Sequence, residues 1–177
     1  MSGYVEFCKS TVPSTVSFSS LRIVLDCANG ACYKVSPEVF EELGAEVIPI
    51  GVTPDGFNIN AQCGSTYPEL VRDEVVKQRA DFGVALDGDG DRVIIVDKDG
   101  NILDGDDLLY ILAFSNPNRV GPWSGVVGTH MSNLGLEDGI KKLGYDFKRA
   151  DVGDKHVSKL LTKTGWLLGC EISGHII

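Results

Sequence analysis

No stretch of the sequence approaches the roughly 20 consecutive apolar residues that cross a bilayer, so a spanning helix is not expected. The first residues also lack a basic segment followed by an apolar run, so no secretory leader is expected. Positive charge is scarce: 16 Lys and Arg stand against 25 Asp and Glu, a formal net charge of -9. An acidic surface repels phosphodiester backbones and anionic lipid, which argues against a nucleic-acid or membrane partner. Cysteines are few and odd in number: Cys8, Cys27, Cys32, Cys63 and Cys170 cannot all pair within one chain. Cys27 and Cys32 are spaced C-x4-C with no second pair after them, which is not the spacing of a structural zinc site. Free thiols in a reducing, cytoplasmic setting are the expectation.

What is present is ordinary for a folded chain. Hydrophobic residues make up 43% and charged residues 23% of 177 residues. That is too apolar for disorder to be the main state, and enough for one domain or two small ones. Leu21–Asp26 reads as a buried strand, Val39 to Leu43 as a helix closed by Gly44, and Ala45–Ile50 as the next strand. This is a β-α-β unit. A long Gly/Asn/Pro-rich loop from Gly51 to Tyr67 precedes a helix that starts at Pro68 and runs to about Arg79. Strands follow at Phe82–Asp87 and Arg92–Asp97, with a tight turn at 98–101 into Ile102 and Leu103, and then a helix from Asp106 to Phe114.

Two prolines mark Asn116 to Ser124, and the pattern then restarts. We expect a first domain over 1–115, a linker over 116–124 and a second, shorter domain over 125–177. The second repeats the grammar, with a strand at Gly125–Thr129, helix near Leu136–Leu143, strand at Tyr145–Arg149, helix near Lys155–Thr164 and strand near Trp166–Cys170. The fold class is α/β, each part a mixed sheet packed with helices. The second part holds only about 53 residues, small for an independent domain, and so reads as truncated.

The densest chemistry lies at Asp87-Gly88-Asp89-Gly90-Asp91-Arg92. Three carboxylates bunched between two strands repel one another unless a cation neutralises them. An oxygen-only donor set suits a hard divalent ion, Mg2+ rather than zinc, and the glycines let the backbone bend round it. An EF-hand is excluded, because from Asp87 the sixth and twelfth positions are Arg92 and Lys98 instead of Gly and Glu. A phosphatase of the haloacid-dehalogenase type shares a D-x-D after a strand. It usually carries Thr or Val where Asp91 stands.

The DGDGDR loop resembles the metal-binding loop of the α-D-phosphohexomutases. Other stretches carry the same resemblance along nearly the whole chain: YVEFCKST near the start, DCANGA at Asp26–Ala31, PDGFNIN at Pro54–Asn60 and CGST at Cys63–Thr66. MSNLGLE at Met131–Glu137, VGDK at Val152–Lys155 and EISGHII at Glu171–Ile177 complete the set. PDGFNIN followed by CGST points to the glucosamine branch of that family. Its members are similar to one another in having four domains, and this chain resembles the second and the first half of the third. No T-A-S-H-N-P-like serine motif and no match to the fourth domain is present.

The resemblance implies phosphoryl transfer from a phosphoserine to a sugar phosphate, interconverting glucosamine 6-phosphate and glucosamine 1-phosphate through a bisphosphate. It implies that Asp87, Asp89 and Asp91 bind Mg2+ and that Arg92 reaches the phosphoryl group, a guanidinium matching phosphate geometry. Glu171 and Ser173 would hold sugar hydroxyls, with His175 beside them as a substrate-binding or catalytic group, and Lys155 would stand close to the reacting centre. Two features depart from the pattern: Ile172 replaces an amide in the sugar loop, and His130 and His156 replace the family's usual Leu and Tyr.

Without the serine motif the chain alone is expected to be inactive. A non-catalytic module that binds metal or sugar phosphate is the alternative reading. The exposed sheet edge of a part-domain would be free to pair with a second copy, so a homodimer stays open.

Overall fold

Short β-branched runs alternating with amphipathic stretches fold as alternating strands and helices. The computed structural model describes residues 2–177, divided into two compact units, one ending at Ile102 and one beginning at Leu103. The first contains α1 (Ser2–Ser10), β1 (Arg22–Asp26), α2 (Val35–Glu42), β2 (Glu46–Ile50), α3 (Glu69–Gln78), β3 (Phe82–Leu86) and β4 (Val93–Asp97), and the two-residue strand β5 (Ile102–Leu103) falls at the division. Strand order is β2-β1-β3-β4-β5. The first three strands run parallel, and β4 returns antiparallel to β3 with Leu86 opposite Val93.

Alternation along β1 builds two layers of core. Val24 faces Val71 and Val75 of α3, together with Ala85, Ile94 and Val96. Ile23 and Leu25 face the other way, among Ala45, Val84 and Phe40 of α2. A strand buried on both faces must be apolar at successive positions, which is why RIVLD reads as a continuous run. Gly44, at φ +99, follows α2 and lets the chain reverse into β2.

The second unit contains α4 (Gly105–Ser115), a 3-10 turn at Gly121–Trp123, β6 (Gly125–Thr129), α5 (Leu134–Lys142), β7 (Asp146–Ala150) and α6 (Asp154–Thr164). Parallel β6 and β7 form its regular sheet. The expected strand at Trp166–Cys170 is reduced to isolated bridges, Val127 with Gly169 in parallel and Cys170 with Ile176 in antiparallel sense. The α/β class with mixed sheets is as expected.

The expected boundaries are corrected. The division falls at 102/103, and both α4 and residues 116–124 lie inside the second unit. Leu109 and Ala113 of α4 pack with Val126, Leu136, Ile140 and Tyr145. The Tyr145 hydroxyl reaches the carbonyls of Ala113, Asn116 and Asn118 at 2.9, 3.1 and 3.1 Å. Pro117 and Pro122 therefore mark a loop within a unit, and α4 starts it with a capping box between Asp104 and Asp107.

Candidate metal centre and sugar loop

Pairing β3 with β4 forces Asp87–Arg92 into a tight hairpin at the carboxyl end of β3. Asp87, Asp89 and Asp91 each offer an oxygen, and these oxygens lie within 4.8 Å of one another. Asp87 is buried, while Asp89 and Asp91 are exposed. One Asp87 oxygen accepts the Arg92 backbone N–H at 3.1 Å, and the Asp87 carbonyl accepts the Gly90 N–H at 3.1 Å. Gly90 sits at φ +75, where a side chain is strained, and an added Cβ would also run into the Cys32 sulfur. Arg92 Nε lies 3.7 Å from carboxylate oxygens of both Asp87 and Asp91.

Opposite ligands of Mg2+ stand about 4.2 Å apart. The donor set is therefore of the right type and nearly the right spread for a hard divalent ion.

Two neighbouring segments hold this hairpin by its backbone. The Ala31 N–H donates to the Gly88 carbonyl and the Ser65 N–H to the Leu86 carbonyl, both at 2.8 Å. The long loop after β2 is ordered by its own polar side chains. Asp55 accepts from the amides of Phe57 and Asn58, Asn58 accepts from the amide of Asp55, and Asn29 accepts from the amide of Thr53. The PDGFNIN stretch thus consists of Asx turns docked against the turn that follows β1.

In the second unit, Glu171 to His175 form the corresponding hairpin. The Glu171 N–H donates to the His175 carbonyl at 3.0 Å, and the Gly174 N–H to the Glu171 carbonyl at 2.9 Å. A carboxylate oxygen of Glu171 accepts the Gly153 N–H at 2.8 Å, which joins this hairpin to VGDK and to the exposed Lys155 in the first turn of α6. Ser173 and His175 are half-buried, and Ile172 lies at the surface.

The two hairpins are topologically equivalent. Each follows the third parallel segment of a β-α-β-α-β run and is closed by an antiparallel return. The structure brings the three aspartates together with Arg92, and Glu171, Ser173 and His175 together beside the VGDK turn. His130, directly after β6, lies 3.5 Å from Asp151, the residue before the VGDK turn.

Sequence reasoning missed two buried carboxylates. Asp26, fully buried at the end of β1, is pushed up in pKa by burial and pulled back by backbone N–H groups of Gly64 and Ala28. Asp106, 1% exposed, is likewise pushed up by burial and accepts from the Asn133 amide and side chain at 2.7 and 3.0 Å. An Asp placed against a strand end or inside the first turn of a helix was the available signal. All five cysteines are free, and burial pushes the thiols of Cys27 and Cys170 up to about 12.

Gly153 at the N-terminus of α6 has no capping side chain, and Glu171 accepts its backbone N–H, as the reciprocal acid of a capping box would. Glu171→Ala is expected to destabilise the second unit by about 1.5 kcal/mol, the usual loss for a hydrogen bond to a charged group. Urea denaturation and faster amide exchange at Gly153 would show it, and Glu171→Gln, which keeps an acceptor, should recover most of the loss.

The fold and the two hairpins define a tandem α/β/α protein that presents an acidic, oxygen-only loop and a carboxylate-bearing polar loop at equivalent strand ends. Residues 2–100 match the family model described as phosphoglucomutase/phosphomannomutase, alpha/beta/alpha domain II, and residues 104–177 match domain III. The chain belongs to the phosphoglucomutase/phosphomannomutase family.

It is 56% identical over 174 residues to the phosphoglucosamine mutase of Legionella pneumophila, covering 98% of this chain and 38% of that protein. It is also 56% identical to the phosphoglucosamine mutase of Thioalkalivibrio sulfidiphilus, covering 39% of it. The chain thus spans about two-fifths of the length of these curated relatives.

A phosphoglucomutase/phosphomannomutase family protein from Burkholderia thailandensis superposes with TM-score 0.84 at 28% identity, over 99% of this chain and 38% of that one. The N-acetylphosphoglucosamine mutase of Aspergillus fumigatus, solved with GlcNAc-6P and magnesium, shares the fold at TM-score 0.72 and 24% identity, over 98% of this chain and 39% of that one.

Proposed function

We propose that this chain supplies the metal-binding and sugar-binding segments of a phosphoglucosamine mutase, interconverting glucosamine 6-phosphate and glucosamine 1-phosphate for amino-sugar and cell-wall precursor synthesis in the cytoplasm. The observation that carries the reading is the convergence of the Asp87, Asp89 and Asp91 oxygens within 4.8 Å on a strand-end hairpin. The magnesium in the fungal neighbour and the names of the bacterial relatives support it. A bound Mg2+ at these three carboxylates would neutralise charge on a transferring phosphoryl group.

The remaining roles belong to the chain's own side chains. Arg92, beside the triad, presents a guanidinium to the phosphoryl oxygens. Glu171 and Ser173 accept from and donate to sugar hydroxyls, and the Gly153 bond fixes the Glu171 carboxylate for that contact. His175 lies on the same hairpin, as a substrate-binding or catalytic group beside Glu171 and Ser173. Lys155 adds positive charge at the adjoining turn. The phosphate donor in this reading is a phosphoserine, and no T-A-S-H-N-P-like stretch occurs in these 177 residues.

The 177 residues alone should therefore give no mutase turnover. Grafted in place of the matching segment of the Legionella pneumophila enzyme, they should restore it. A chimera that folds and is phosphorylated on serine, yet converts no glucosamine 6-phosphate, would overturn the proposal. It would favour the second reading, a non-catalytic module that binds metal or sugar phosphate.

A further inference from the structure

We propose that Asp26 is the positioning residue of the acidic hairpin. Its buried carboxylate ties together the two segments that grip the backbone on either side of Asp87. The inference rests on the reading of Asp87, Asp89 and Asp91 as a divalent-cation site.

Asp26 is 0% exposed, at the carboxyl end of β1. One of its oxygens accepts the Ala28 N–H at 2.9 Å, and the other accepts the Gly64 N–H at 2.7 Å. The first bond fixes the turn over residues 27–31, in which Ala28 and Asn29 hold the unusual φ values of +53 and +50. The second fixes the CGST segment. From the turn, Ala31 donates to the Gly88 carbonyl; from CGST, Ser65 donates to the Leu86 carbonyl. Leu86 and Gly88 are the residues immediately before and after Asp87. A single carboxylate thus organises both grips on the hairpin's entry, although the Gly64 contact spans 38 residues of sequence.

The chemistry is specific to a carboxylate. Two acceptor oxygens meet two backbone donors, whereas an asparagine offers one acceptor and one NH2. Asp26→Asn therefore sets an N–H against an N–H in one of the two bonds. Burying a charge is unfavourable unless its oxygens are satisfied, and these two are satisfied only by the segments that shape the hairpin.

The test uses Mn2+ as probe, with free ion counted by electron paramagnetic resonance on the 177-residue chain. Asp26→Asn should weaken Mn2+ binding at least tenfold and speed amide exchange at Ala31 and Ser65. Val75→Ala, a cavity in the core beneath α3, should lower stability and leave Mn2+ affinity at the wild-type value. A purely structural role would make the two variants behave alike, or leave Mn2+ affinity unchanged in Asp26→Asn; either result overturns the proposal.

Wild-type protein supplies a second readout that needs no variant to fold. Coupling is reciprocal, so saturating Mg2+ should slow exchange at Ala28 and Gly64 more than at Val127 in the second unit. No such slowing overturns the proposal. If the wild type takes up no Mn2+, or Asp89→Ala takes it up equally, the cation-site reading itself fails and the proposal falls with it.

Discussion

Gly30→Ala is expected to unfold the first unit's loop system and abolish divalent-cation binding. A Cβ at residue 30 would overlap the Gly88 carbonyl oxygen and lie 2.6 Å from the Gly88 Cα. Both partners are backbone, so no rotamer change relieves the clash. Either the turn after β1 or the acidic hairpin must move, and the adjoining Ala31–Gly88 hydrogen bond breaks with it. Overpacking of this kind costs about 1–3 kcal/mol, and rigid backbone on both sides puts this case at the upper end. For a unit of roughly 100 residues, about 3 kcal/mol lowers the melting temperature by more than 10 °C. Gly3→Ala is the matched control, since nothing lies within 4 Å of its added Cβ. Thermal unfolding and Mn2+ titration of both variants check the claim. Wild-type melting of Gly30→Ala would show that the hairpin and the turn do not pack as described.

The acidic hairpin was legible in the sequence because its chemistry is local: three aspartates and two glycines in five residues, between two apolar runs. The strands and helices of the β-α-β runs were legible for the same reason, and Gly125–Thr129 coincides with β6. What escaped depends on distant partners. Pro117 and Pro122 announce a break in periodicity but not its location relative to a domain boundary. The Tyr145 hydroxyl, 27 to 32 residues away, holds that segment inside the second unit. Trp166–Cys170 has a strand's composition, yet only Gly169 and Cys170 find bridge partners.

Helix α1 was not expected, although Tyr4, Phe7 and Cys8 recur at helical spacing; Tyr4 and Phe7 are exposed and only Val5 among its described side chains is fully buried. At the site, DCANGA, CGST and VGDK were visible as motifs. Their joining to the two hairpins through Asp26, Ala31, Ser65 and Glu171 is tertiary, and no spacing along the chain encodes it.

Asp89→Asn is expected to move metal affinity and stability in opposite directions. Asp89 is exposed, and its ligand-capable oxygen lies within 4.8 Å of those of Asp87 and Asp91. Without a cation these three negative charges repel, by about 1 kcal/mol for each pair near 4 Å in water. Removing the middle charge relieves that repulsion, and Arg92 still balances Asp87 and Asp91. The metal-free variant should therefore melt slightly above the wild type, with the gain fading as added salt screens the charges.

A hard dication loses an anionic oxygen in the same change. Its affinity should fall at least a hundredfold, about 2.7 kcal/mol, so saturating Mg2+ should stabilise the wild type and leave Asp89→Asn almost unmoved. Melting curves with and without Mg2+ at two salt concentrations read both effects together. A variant that is less stable than the wild type without metal would mean that Asp89 is a structural side chain, whereas equal stabilisation of the two proteins by Mg2+ would place the cation elsewhere. The crossing of the two curves is the signature of a site whose charge is destabilising when empty and required when filled.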